Sequence, residues 1–322
     1  MQVVRPGVDV KWLSAWRRQT KLNDTYRAER REGTLKRLQY YVANGVSPDP
    51  TGNKHERIKV TPPWAAWESF LDGDLLAYAA ELQSDFEQKG AVRNEYDSPL
   101  AAQAFAAKYT SQFIRLRAHA LFPSRFPGRN LQMLSLKDVG FTTLGLITGA
   151  REEALRLARL QIRAYHRQYY FDTESYPIFV LMLRLLADYL AEEPLEIRGE
   201  ARDEPLCASL FNEWRGKDRD GIAEICLAVG DYHTHRCGLP KRDFYHEFAN
   251  GTWMRTPIEL LLLFKLRMMI GLDYPTLDHP LLNTVLGRLP EEIGFQPDNL
   301  VSQVRARLVL DGYDETAISA LY

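Results

Sequence analysis

Apolar residues recur at helical spacing almost from end to end of this chain, and the period-two alternation of strands is nearly absent. The first periodic stretch runs from Asp9 to about Ala43. Its apolar positions are Trp12, Leu13, Trp16, Leu22, Tyr26, Leu35 and Leu38, and Gly33 is its candidate break. A polar loop with Gly45, Pro48, Pro50 and Gly52 spans Asn44 to Pro63. Thr61-Pro62 reads as a helix start, Thr as cap and Pro in the first turn, for a helix ending near Lys89 before Gly90. Ser98-Pro99 repeats that signal for a helix to about Leu121, stopped by Pro123.

From Ser135 the pattern tightens into helices with short joins. They are expected near 135–148, 150–171, 174–191, 204–215, 219–231, 240–249, 257–271, 276–288 and 298–311, with a last turn near 315–320. Arg57–Val60 is the best short-strand candidate. The fold expected is all-α, with stacked antiparallel helical pairs in an irregular solenoid-like array or a bundle. Gly145 to Ala154 is loosely tetratricopeptide-like, but no 34-residue period repeats, which argues against a regular array. The Pro/Gly-bearing connector Pro123–Leu134 divides an N-terminal helical region, 1–122, from a C-terminal one, 135–322. One continuous domain is the alternative.

Composition adds bounds rather than a function. At 45% hydrophobic and 26% charged, a 322-residue chain can bury a sizeable core without disulfides or metals. Cys207, Cys226 and Cys237, an odd count, argue against a disulfide framework and for a reducing compartment. The longest apolar runs, Ile178–Leu183 and Leu260–Phe264, fall far short of the ~20 residues of a membrane span. With no signal-like N-terminus, the expectation is a cytoplasmic protein without membrane contact.

Charge is uneven. Residues 1–60 hold 13 Lys/Arg against 6 Asp/Glu, so a basic first helix docking on an acidic body is expected. Arg27, Arg30, Arg31, Lys36 and Arg37, with Tyr40 and Tyr41 behind, are the residue types of a nucleic-acid surface. Glu29 and Glu32 interrupt them, so a solvated face with intrahelical ion pairs is the better account. Residues 188–247 hold 14 Asp/Glu against 8 Lys/Arg. Glu192, Glu193, Glu196, Glu200, Asp203, Glu204, Asp218, Asp220 and Glu224 supply much of this excess. They are the candidate partner-binding residues, suited to a basic partner such as a nuclease. Ordinary surface solvation is the competing reading.

Catalytic candidates are few. Asp231, His233, His235 and Cys237 form the only cluster of metal-ligand types, with Cys207, Cys226 or His246 as further ligands at no standard zinc spacing. Two histidines at the end of a helix are explained by its dipole without a metal. Asp278-His279 resembles an acid–base pair, but turn geometry before Pro280 accounts for it. His119 and His166 sit singly, and Glu152-Glu153, Glu192-Glu193 and Glu291-Glu292 fix no catalytic separation. None of the common nucleotide, nucleophile-elbow or zinc-protease motifs occurs. No catalytic residue, metal or cofactor is therefore assigned. Most of the six tryptophans are expected in the core.

Thr256-Pro257-Ile258-Glu259 has the form of a capping box opening an apolar helix to Ile270, closed by Gly271-Leu272-Asp273. Asn250-Gly251-Thr252-Trp253 leads into it. On these residues Tyr245–Asp273 resembles the C-terminal region of all-α immunity proteins from bacterial polymorphic-toxin and type VI secretion loci. The return Asp278-His279-Pro280-Leu281 is similar to segments of such proteins, so the resemblance spans about residues 245–285. It implies a non-enzymatic, stoichiometric binder that neutralises a cognate toxin in the cytoplasm of the producing cell, a nuclease being the commonest fit. A helical-repeat scaffold or chaperone and a metal-dependent enzyme built on residues 231–246 are the alternatives.

Overall fold

The computed structural model describes residues 4–45, 66–125, 134–171, 176–238, 246–248 and 253–322. Among them are twelve α-helices: α1 (Trp12–Asn44), α2 (Ala66–Arg93), α3 (Ser98–Arg125), α4 (Val139–Ile147), α5 (Arg151–His166), α6 (Pro177–Leu190), α7 (Glu200–Asp203), α8 (Pro205–Glu213), α9 (Arg219–His235), α10 (Ile258–Met269), α11 (Asn299–Leu310) and α12 (Glu315–Ala320). The described residues form no strand, only three isolated bridges. The protein is all-α.

α1 passes through Gly33 without a break and ends at Gly45, whose left-handed φ of 69° lets its N–H reach the Tyr41 carbonyl at 2.8 Å. Its basic face meets acids of α2. Arg37 holds Asp74 with two nitrogens, at 2.8 and 2.6 Å, and Arg31 lies 3.2 Å from Asp85. Lys36 closes an i,i+4 pair with Glu32. The basic helix is thus docked on acidic α2. Burial still raises the Asp74 carboxyl, against the pull of Arg37.

α2 and α3 are joined only by Asn94–Asp97 and lie antiparallel. Asp97 makes the turn: Oδ1 accepts the Leu100 N–H at 2.9 Å, and Oδ2 takes Lys89. α4 is buried along its whole length, and so is α10 from Ile258 to Arg267. These two pack on each other and on α6, forming the centre of the molecule. Trp253, wholly buried, lies over Gly140, where a Cβ would meet its indole at 2.5 Å. Trp12, Trp16 and Trp214 are buried too. Trp64 and the Trp67 side chain lie outside the described residues. One apolar core runs from Trp12 to Ile318: α3 packs on α4 and α5, and α1 on α11, across residues 126–133.

Several expectations are corrected. α3 continues through Pro123 to Arg125 instead of stopping at Leu121. α5 ends at His166, since Gln168 turns left-handed (φ 59°) and Tyr169 N–H caps back to Ala164. α9 reaches His235, so His233 and His235 lie in its last turn, not beyond it. The helix expected over 276–288 is irregular, with one 3-10 turn at Val285–Gly287. Pro280 disfavours helix at His279, and the Leu281 N–H bonds the His279 ring instead of a carbonyl. Leu277, Leu281 and Leu286 still fill the core, so the apolar residues of this stretch are buried without a helix. In place of the helix over 240–249, residues 246–248 are non-helical, and Phe248 bonds back to Arg236 and Gly238. The Thr61-Pro62 start, the strand at Arg57–Val60 and residues 240–245 lie outside the described residues. The capping box does not form: Pro257 occupies the cap position, and Glu259 turns to His233.

Candidate functional site

The cluster of metal-ligand types is a buried clamp. Asp231 and Thr234 are the inner face of the last turns of α9, because they stand three apart on a helix whose apolar residues already face the core. The chain segment before α1 lies across them. Arg5 reaches Asp231 at 3.0 Å, the Gly7 N–H reaches the same carboxylate at 3.2 Å, and the Asp9 N–H reaches Thr234 Oγ1 at 2.8 Å. His235 Nε2 donates to the Gly7 carbonyl at 2.8 Å. His279 approaches Asp231 from the other side. Its Nδ1 accepts the Leu281 N–H at 3.2 Å, so Nε2 carries the proton and donates to Asp231 at 3.3 Å. Burial holds the His279 pKa below its ordinary value although Asp231 pulls it up.

A second pair lies beside the clamp. His233, fully buried, bonds Glu259 at 2.9 Å and stacks on Phe248 at 3.8 Å between ring centroids. His233 Nε2 and Glu259 Oε2 have no hydrogen-bond partner among the described residues. Cys237 is buried with its thiol toward the Met254 carbonyl at 3.7 Å, and burial raises its pKa well above the usual range. Cys226 is pushed up to about 12, also by burial. Thiols so shifted are poor nucleophiles and poor ligands. Among the described residues, no three His, Cys, Asp or Glu side chains converge as a metal site. Glu87 of α2 is buried near Arg255 and Thr256, and burial raises its carboxyl to about 8.

Asp278 acts in the turn, accepting from Asn283 at 2.7 Å, as expected. His119 is buried against Tyr169, and His166 meets the Glu193 carbonyl at 3.2 Å.

The nine acidic candidates separate by role. Glu204 and Asp218 are caps: Glu204 accepts the Leu206 N–H of α8, and Asp218 accepts the Asp220 and Gly221 N–H groups of α9. Glu196 pairs with Arg198 at 2.7 Å, and Glu192 lies 3.5 Å from Arg159 and 3.7 Å from Arg163. Glu193, Asp220 and Glu224 are exposed and carry no ion pair among the described residues. Asp220 and Glu224 stand one turn apart on the first half of α9. The side chains of Glu200 and Asp203 lie outside the described residues.

Two features were not singled out from the sequence. One is a basic cleft of about 250 Å³ lined by Glu152, Arg156, Arg159, Leu160, Arg163 and Ser319. Its signal was present as Arg156, Arg159 and Arg163 at spacings of three and four, one face of a helix. The other is a groove of about 550 Å³ between α3, α11 and α12, with Phe113, Ile114, Leu308, Tyr313 and Ile318 among its walls. Its residues are scattered in sequence, so no local pattern announces it. No helix among the described residues is long and apolar enough to cross a membrane. Comparison with known proteins found no match among family models, curated proteins or solved structures.

Proposed function

We propose that this protein is a stoichiometric binder that neutralises a cognate antibacterial toxin of the nuclease kind, in the cytoplasm of the producing cell. The observation that carries this reading is the pair Asp220 and Glu224, exposed one turn apart, with no salt bridge among the described residues, on a helix otherwise anchored in the core. Exposed carboxylates on a rigid element suit a basic, nucleic-acid-binding surface, and complementary charge speeds encounter with it. The resemblance over residues 245–285 supports the same reading. Its Trp253, Ile258–Phe264 and Leu281 lie in the core, so the shared residues would be those that hold the scaffold. The toxin-facing residues would then differ from pair to pair.

The test is co-expression with the product of the neighbouring open reading frame. A toxic neighbour should be rescued and should co-purify in one-to-one complex. Reversing both charges, Asp220→Lys with Glu224→Lys, should slow association at least about tenfold at low salt. A harmless neighbour and no complex would sink the reading. Unchanged association of the reversed variant would move the interface elsewhere.

A second reading, a scaffold that holds peptides, is favoured by the groove between α3, α11 and α12, beside which Val309 and Leu310 are largely exposed. Many partners in pull-downs, rather than one, would support it.

A further inference from the structure

We propose that the cleft along α5 binds a phosphate-type oxyanion. Arg156, Arg159 and Arg163 share one face of this helix, and the cleft they line, about 250 Å³, is below the roughly 300–1,000 Å³ of drug-sized pockets. Its size suits a phosphate or pyrophosphate group rather than a folded segment.

The three arginines are not equivalent. Arg156 is a fixed wall, with Nη2 on Glu152 at 2.7 Å and Nη1 on Glu315 at 3.0 Å. Arg159 and Arg163 instead share one oxygen of Glu192, at 3.5 and 3.7 Å. Both distances are longer than an ordinary N–H···O hydrogen bond. Both side chains remain about half exposed, at 47% and 41%. Each guanidinium is a planar fork of N–H donors matched to anions with two or more oxygens. Two such forks thus converge on one carboxylate that neither grips. With their ion partners counted, Arg156, Arg159, Arg163 and Arg305 face Glu152, Glu192 and Glu315, so the cluster keeps one net positive charge. A phosphate group seated between Arg159 and Arg163 would supply the oxygens that Glu192 does not, with Glu192 as its internal competitor. This inference does not depend on the toxin-binding reading, and the α9 variants above leave it untouched.

The test is calorimetric titration of the full chain with inorganic pyrophosphate at low ionic strength. Saturable one-to-one binding is expected, weakening with added salt. Arg159→Gln with Arg163→Gln should weaken it at least about tenfold. Glu192→Gln should tighten it, because the competing carboxylate is gone. Circular dichroism reports whether each variant keeps its helices. If the double variant unfolds, the single Glu192→Gln decides, and binding that does not tighten overturns the proposal. No saturable binding by the unaltered protein overturns it too, as does equal binding by a folded double variant. Citrate binding as tightly as pyrophosphate would overturn the assignment to phosphate chemistry.

Discussion

The two halves of α9 use the same residue types for opposite ends. Its first half carries Asp218, Asp220 and Glu224, all exposed, one of them a cap and two without a salt bridge among the described residues. Its second half carries Asp231, fully buried, which gathers Arg5, Gly7 and His279 around one carboxylate. The difference lies in what packs on the helix. The second half is covered by the segment before α1 and by the turn at His279, and a carboxylate removed from water there must be given donors. The first half buries Ile222 and Ile225 but turns its acids to solvent, so they need none. Charge in a sequence therefore marks either a surface or a joint, and only neighbours tell which.

The sharpest way to break this contrast is to remove Asp231. Asp231→Ala leaves the Gly7 N–H and the His279 Nε2–H without their acceptor and Arg5 without its partner, and should cost about 3 kcal/mol in urea denaturation. A change within about 0.5 kcal/mol would mean that the clamp is not formed in solution. Next in size is the cap: Asp218→Ala should lose about 1 kcal/mol, and Asp218→Asn should recover most of it.

A smaller effect concerns pH. The pKa of His279 is depressed in the folded protein, chiefly by burial, so the unfolded chain takes up the proton first as pH falls through about 6.5. The clamp's contribution is then full above that pH and declines below it. Arg5, Asp231 and His233 are the charged or titratable groups acting on this ring. In His279→Gln the slope of stability against pH between about 7.5 and 5 should flatten. An unchanged slope would place the His279 ring in solvent. Least affected is the exposed half: Asp220→Asn with Glu224→Gln should shift stability by less than about 0.5 kcal/mol. Any larger loss would show that these acids are joints after all.

The same contrast explains what could be read without coordinates. Helix existence was legible wherever apolar residues repeat or run over a long stretch, as in α1, α6 and α10, because burying the apolar surface is what stabilises such a segment. The docking of basic α1 was legible as charge asymmetry, though its receiver, Asp74 and Asp85 of α2, was not. Misreadings fell where local signals had a competing use. Leu277 and Leu281, four apart, are spaced for a helix and are buried by a loop. Glu259 stands where a capping box wants it, and bonds His233 instead. Of nine acids read as one surface, the structure makes Glu204 and Asp218 caps and pairs Glu192 and Glu196 with arginines.

By itself the sequence determined that this chain is all-α, that its core is aromatic and aliphatic rather than cross-linked, and where most of its helices lie. These properties follow from periodicity and composition, which act through neighbours a few residues apart. Only the tertiary structure decided which charges are buried and which are paired: buried Asp231 meets Arg5 across 226 residues, and Arg159 of α5 meets Glu192 just after α6. The physical reason is that a carboxylate's role depends on its desolvation and its donors. Both are set by segments far away in the chain.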